Sequence, residues 1–119
     1  MSPNDMSYDA LSGVKPLTEP VLLILASLAD DARHGYALIK DVERLSDGRV
    51  RLSTGTLYGA LRRLLEATWI EEFEQSDRSR DKQAYRLTAL GRRQLQTEIS
   101  RLKHVTKVAT ARLRRGEAH

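Results

Sequence analysis

The chain has 119 residues, no cysteine and a formal net charge of +4. Its length allows one domain with one modest core, and without cysteine it forms neither disulfides nor cysteine-ligated zinc sites. Residues 1–48 carry 4 basic and 8 acidic residues, whereas residues 49–119 carry 16 basic and 8 acidic residues. This uneven charge fits a polyanionic partner and a solvated surface equally well.

The N-terminal region has no feature of a membrane or secretory segment. No apolar stretch precedes Pro16, and the longest apolar run, residues 21–26, is too short to span a bilayer. We therefore expect a cytoplasmic protein with no membrane partner. Residues 1–16 are polar and without periodicity, which predicts a mobile N-terminal tail.

A first helix is predicted directly after this tail. Thr18 is its expected N-cap, and residues 21–28 are almost all apolar, so that apolar side chains surround the helix. A helix of this kind is expected to be buried on most of its surface. Asp30 and Asp31 are the predicted end of this helix.

A second helix is predicted from about residue 34 to residue 46. Leu38, Val42 and Leu45 recur at helical spacing and form its apolar side. Tyr36, near its start, is predicted to cap or pack rather than to bind a ligand, because amphipathic rings commonly lie half-buried.

The third predicted helix, residues 53–67, has one leucine-rich side and one side of small and hydrogen-bonding groups. Ser53 is a good N-cap. The major groove of DNA admits one α-helix, and that helix must expose groups of this kind. The predicted DNA contacts on this helix are Ser53, Thr54, Thr56, Tyr58, Arg62 and Arg63.

The pattern then changes to the alternation that is typical of strands. Residues 69–74 and 84–87 are predicted to form a hairpin, and Trp69 is expected to be a core residue between helix and hairpin. Cations on the protruding loop suit phosphate or minor-groove contacts, although the aspartates there also fit a solvated tip. The predicted contacts on this loop are Arg78, Arg80 and Lys82.

Thr88 is the predicted cap of a final helix that continues to about residue 115. A helix of about 28 residues extends about 42 Å, beyond the reach of a compact core. Its apolar residues follow steps of four and three if Thr106 fills one missing place. This is a heptad-like seam that would pack against a second copy, unless the helix folds back on its own domain. The predicted dimer contacts are Leu95, Ile99, Leu102, Ala109 and Leu113.

These elements predict a mostly α-helical fold with a small β-hairpin: a winged helix-turn-helix domain over residues 17–87 and a C-terminal dimerisation helix over residues 88–119. The leading hypothesis is a sequence-specific DNA-binding repressor, and the alternative is a winged-helix protein-interaction module. No catalytic motif and no metal-ligand spacing is present. We therefore expect no enzymatic activity, no metal and no cofactor.

Three short segments resemble the PadR-like transcriptional regulators. They are His-Gly-Tyr-Ala-Leu at residues 34–38, Gly-Thr-Leu-Tyr at 55–58 and Tyr-Arg-Leu-Thr-Ala-Leu-Gly at 85–91. Order and spacing match the family over roughly residues 17–115. The resemblance implies a winged helix, an elongated homodimer built partly through the last helix, operator DNA as ligand and a bacterial cytoplasmic setting. In many members a small aromatic compound or drug releases the DNA.

The resemblance also assigns single residues. The conserved tyrosine of the recognition helix, usually a phosphate contact in the family, falls on Tyr58. Proline usually follows that tyrosine, whereas this chain has Gly59, and glycine is frequent before the wing, whereas this chain has Thr68. The family's wing tip is often rich in glycine with a basic-proline-basic run, which this chain lacks.

Overall fold

The computed structural model describes residues 16–73 and 83–117. The sequence prediction of a winged helix-turn-helix followed by a long helix is confirmed. Of the predicted N-terminal tail, all but residue 16 lies outside the described residues. In chain order the described elements are α1 (Glu19–Ser27), β1 (Arg33–His34), α2 (Gly35–Leu45), α3 (Thr54–Glu66), β2 (Ile70–Phe73), β3 (Ala84–Leu87) and α4 (Ala89–Glu117).

The core lies between the three shorter helices, the sheet and the start of α4. The sequence predicts Leu45 on the apolar side of α2, yet it is exposed. It lies in the last turn of that helix, next to the turn that follows. The largest fully buried apolar side chains are Ile24, Leu25, Leu28, Leu38, Val42, Leu57, Leu61 and Ile70.

The sheet has one strand more than the predicted hairpin. Arg33 and His34 form β1, which pairs antiparallel with β3, so the strand order is β1-β3-β2. A strand of two residues has no periodicity that a sequence pattern could reveal. The predicted hairpin itself is confirmed, with Ile70 opposite Leu87.

A buried carboxylate ties β1 to the first two helices. Asp41 on α2 is buried and accepts a hydrogen bond of 2.5 Å from the Ser27 hydroxyl of α1. Arg33 Nε lies 3.6 Å from the Asp41 carboxylate and donates to the Ser27 carbonyl at 2.8 Å. Arg44 also donates to Asp41. Because a buried charge is costly without partners, these contacts fix the edge of the sheet on the helices.

The turn between α3 and β2 is joined directly to the start of α4. Thr88 caps α4, since its Oγ1 accepts from the Gly91 N–H at 3.0 Å. The Thr88 N–H donates to the Trp69 carbonyl at 3.0 Å, and its hydroxyl donates to the Thr68 carbonyl at 2.6 Å. A Cβ on Gly91 would stand 2.8 Å from the Trp69 carbonyl carbon. Only glycine therefore allows this close approach.

The long helix leaves the domain after its first turns. α4 has 29 residues, which corresponds to about 43 Å. Its first part packs against α1 and β3, whereas every residue from Lys103 to Glu117 is exposed. Among the helices that the structure describes, none combines the length and apolarity needed to cross a membrane.

Candidate nucleic-acid interface

The helix α3 has one side buried in the core and one side exposed to solvent. Leu57, Leu61 and Leu64 lie in the core, and their spacing of four and three residues places them on a single side of the helix. The opposite side therefore faces solvent. All six sequence-predicted residues of this helix are exposed: Ser53, Thr54, Thr56, Tyr58, Arg62 and Arg63.

The first turn of α3 is held by two hydroxyl groups. The Thr56 N–H donates to Ser53 Oγ at 3.1 Å, and the Ser53 hydroxyl donates to Thr56 Oγ1 at 2.9 Å. Ser53 is thus the N-cap that the sequence predicts. The remaining N–H groups of this turn have no partner within the helix, and together with the helix dipole they favour a phosphate at this end.

Tyr58 reaches from α3 to the start of α2. It is 42% exposed, and a Cβ on Gly35 would stand 2.9 Å from its Cζ. Glycine at this position therefore makes room for the tyrosine ring. Burial raises the pKa of the neighbouring Tyr85, and Tyr58 and Glu72 raise it further. The ring of Tyr58 thus lies where α3 meets the start of α2, and part of the side chain is exposed.

Sequence reasoning missed Tyr36. The sequence predicts a capping or packing role, yet with 70% of its surface exposed Tyr36 is the most exposed large apolar or aromatic side chain described. Lys40 Nζ lies 5.7 Å from its ring centroid, within range of a cation–π contact. The signal was available in the spacing, because residues 36 and 40 share the side of α2 that lies away from Leu38 and Val42.

The arginines of α3 differ in their ion pairing from the two arginines that precede this helix. Arg49 pairs with Glu19, and Arg51 Nε lies 3.6 Å from the Glu43 carboxylate. Within residues 16–73 and 83–117, no ion pair involves the two arginines of α3. Their charge is therefore available to an anionic ligand. These two residues are Arg62 and Arg63.

The described part of the wing is the hairpin of β2 and β3. At its base, Glu71 on β2 lies opposite Arg86 on β3, and the two side chains form an ion pair of 2.7 Å. Arg86 also lies 4.4 Å from the Phe73 ring centroid, so its charge is already engaged within the hairpin. The sequence-predicted wing contacts lie outside the described residues. They are Arg78, Arg80 and Lys82.

The residues predicted to form the dimer seam occupy two different environments. Leu95 is only 6% exposed and belongs to the core of its own protomer. Leu102 is half-buried, Ile99 and Ala109 are exposed, and Leu113 is 68% exposed. The heptad pattern does not include two further exposed apolar residues, because they flank the seam instead of lying on it. These are Val105 and Val108.

Comparison with known sequences gives one family. The model of the transcriptional regulator PadR-like family matches residues 24–97 of this chain. An uncharacterized 37.1 kDa protein of a Streptomyces fradiae transposon is 39% identical over 77 residues. That alignment covers 65% of this chain but only 21% of the transposon protein.

Solved structures share the fold. A PadR family transcription regulator from Clostridium difficile superimposes with a TM-score of 0.68 at 23% identity, covering 81% of this chain and 99% of that one. Bacillus subtilis PadR, solved in complex with operator DNA, gives a TM-score of 0.58 at 19% identity, covering 66% of this chain and 45% of that one.

Proposed function

Because this chain belongs to the PadR-like family of transcriptional regulators, we propose that it is a repressor that binds a palindromic operator in double-stranded DNA as a homodimer. The family is one of DNA-binding regulators, not of enzymes. The observation that carries the proposal is the exposed side of α3. It presents small and hydrogen-bonding groups on a helix whose opposite side is buried.

In this proposal α3 enters the major groove and reads bases. Thr54, Thr56 and Arg62 face solvent along its length, and an arginine that contacts a guanine edge discriminates bases by about 1–3 kcal/mol. Tyr58 contacts a phosphate beside the groove. Bacillus subtilis PadR, which shares the fold, was solved in complex with operator DNA, and this supports DNA as the ligand.

The start of α2 extends the proposed contact. In helix-turn-helix proteins the first helix of the motif crosses the DNA backbone. Tyr36 and Lys40 are exposed at this end of α2, and Tyr58 lies beside its first residue. A hydroxyl and an ammonium group suit phosphate oxygens. These three residues then position α3 without reading sequence.

The proposed homodimer forms through α4. Burying large apolar side chains contributes about 1.5–3 kcal/mol each, before the costs of association. Ile99 and Leu113 are exposed in the protomer and available for this purpose. A two-fold pair places two α3 helices on one side, so the half-sites form an inverted repeat about one or two DNA turns apart.

Selection of bound sequences from random duplexes tests the function. We expect an inverted repeat to be enriched, with affinity that falls steeply as salt increases. Tyr58→Phe weakens binding to all sequences alike, whereas Arg62→Ala changes the preference at one base pair. Lys107→Ala, on the exposed part of α4, is the matched control for removal of one cation. A protein that enriches no sequence contradicts the proposal.

The DNA sequence obtained by selection is then used to test the wing contacts, repression and release by an effector. Replacing Arg78, Arg80 and Lys82 together by alanine flattens the log–log salt slope by about 1 for each phosphate that the wing no longer neutralises. Repression is tested with the site placed in a promoter, where the protein lowers transcription. Small aromatic compounds added to the complex test the release that the resemblance implies. An unchanged salt slope would remove the wing from the interface.

A further inference from the structure

Two glycines lie on the solvent side of α3. Gly55 and Gly59 are one helical turn apart within this helix. At about 100° per residue, Gly59 lies about 160° around the helix from both Leu57 and Leu61, which are buried in the core. Gly59 therefore stands at the middle of the side that the proposed function directs at DNA.

The described part of the protomer gives no reason for glycine at residue 59. A Cβ on Gly59 would meet no atom within 4 Å, whereas a Cβ on Gly91 would run into the Trp69 carbonyl. The φ angle of Gly59 is not positive, so its backbone conformation is open to any residue that a helix accepts. Because glycine is a less stable choice than alanine inside a helix, Gly59 lowers the stability of α3 without a contact that requires it.

Gly59 forms the floor of a shallow recess between larger side chains. Arg62 and Arg63 follow it by three and four residues, so they lie on either side of it one turn along the helix. Helical side chains lean toward the N-terminus, which directs both arginines toward the level of Gly59. Accordingly Gly59 is only partly exposed, although a Cβ on it would touch nothing. Gly55, one turn earlier, leaves the N-terminal side of the recess open.

The floor of this recess is apolar and offers no hydrogen-bonding group. In the ladder of an α-helix, the Gly59 N–H pairs with the Gly55 carbonyl, and the Gly59 carbonyl pairs with the Arg63 N–H. The Cα of Gly59 with its two hydrogens is what remains at the surface. Among the groups that bases present in the major groove, the C5 methyl group of thymine is the apolar one. A methyl group that the recess covers leaves water, and this favours binding.

We propose that Gly59 determines specificity by admitting the C5 methyl group of one thymine in each half-site of the operator. The inference rests on the proposed DNA binding by α3 and names a base that this side of the helix recognises. A Cβ on Gly59 would occupy the space of the methyl group or hold α3 farther from the bases. Arg62, beside the recess, remains available to the next base or phosphate.

Deoxyuridine, which lacks the methyl group of thymidine, gives a direct test. Each thymine in the DNA sequence obtained by selection is replaced in turn, in both half-sites, and the affinity of each duplex is measured. For the unsubstituted protein we expect one position at which binding falls about four-fold for each half-site. For Gly59→Ala we expect the thymine duplex to bind about tenfold more weakly. At that same position, the deoxyuridine duplex should then bind Gly59→Ala more tightly than the thymine duplex does.

Gly116→Ala is the matched control, because it makes the same change on the exposed part of α4, where a Cβ also meets open space. This variant should bind both duplexes as the unsubstituted protein does. Thermal unfolding of Gly59→Ala is expected to show a midpoint about 4 °C higher, because alanine is the better helix former. Weaker DNA binding by Gly59→Ala is then not the result of a weaker fold.

Three results overturn the proposal and leave DNA binding by α3 standing. One is equal affinity of Gly59→Ala and the unsubstituted protein for the thymine duplex. Another is weak binding by Gly59→Ala that no deoxyuridine duplex relieves, because the recess then does not hold a thymine methyl group. The third is a lower unfolding midpoint for Gly59→Ala, because the fold itself then requires glycine. A protein that selects no sequence overturns the proposed function and this proposal together.

Discussion

The two halves of α4 belong to one uninterrupted helix but are held by different means. From Ala89 to Glu98 the helix is capped by Thr88, packed against the turn between α3 and β2, and partly buried in the core. Beyond residue 102 every described residue is exposed. The near half is therefore stabilised within the protomer, whereas the far half depends on helix propensity and on partners. Matched substitutions in the two halves test this difference.

The largest contrast is expected between two leucines of the predicted seam. Leu95→Ala removes a side chain that is buried in its own protomer, so it lowers the free energy of unfolding by about 3 kcal/mol. Leu113→Ala changes that energy by less than about 0.5 kcal/mol but weakens the dimer. Urea denaturation and sedimentation measure the two effects. Equal decreases in stability would show that both leucines lie in one continuous interface.

Two glycines of α4 give the next contrast. Gly91→Ala places a Cβ against the backbone of Trp69, and we expect it to lower the free energy of unfolding by about 2 kcal/mol. A Cβ on Gly116 meets open space, so Gly116→Ala is neutral or slightly stabilising. Thermal unfolding compares the pair. A stability equal to that of the unsubstituted protein would mean that the turn at Trp69 moves to admit the Cβ.

Glu98 provides a pH-dependent link between α4 and the N-terminal end of α1. It is buried, accepts 3.2 and 2.6 Å hydrogen bonds from Arg101, and accepts one of 3.4 Å from the Leu17 N–H. Hydrogen bonding from Arg101 lowers the pKa of Glu98 from the ordinary 4.5, although burial opposes this, and Leu17 lowers it further. The folded state thus favours the carboxylate.

This lowered pKa determines how the stability of the fold changes with pH. The stabilisation by Glu98 is complete above pH 4.5 and disappears as pH falls through the lower pKa of the folded state. Glu98→Gln is expected to cost about 1 kcal/mol at neutral pH and progressively less in acid. Glu117→Gln, in the exposed half, is the control. The free energy of unfolding of both variants is measured across this pH range. Equal pH profiles for the two variants would contradict the stabilising role of the Glu98 carboxylate.

The smallest expected change in stability comes from replacing either of two threonines by glycine, and its sign differs between them. Thr68 has φ +62°, a left-handed conformation that favours glycine. Thr68→Gly is therefore expected to raise the free energy of unfolding by about 0.5 kcal/mol. Thr110 lies within the exposed part of α4, where Thr110→Gly lowers that free energy by about 0.3 kcal/mol. Calorimetry of both variants checks the signs.

Much of the candidate site was accessible to sequence reasoning. The cap at Ser53, the buried leucines and the exposed polar side of α3 all follow from local periodicity, and the structure places each as predicted. The prediction for Tyr36 is wrong because a half-buried aromatic ring is the common case. The spacing indicates its exposure instead, because Tyr36 lies on the side of α2 away from Leu38 and Val42.

What the sequence determined by itself is the set of elements and their order. Caps, periodicity and the resemblance of three short segments specify helices, hairpin and family, because each is encoded by neighbouring residues. Only the tertiary structure decided that β1 adds a strand, that Leu95 serves its own core and that Val105 and Val108 flank the seam. These features depend on contacts between residues far apart in the chain, which a local pattern does not contain.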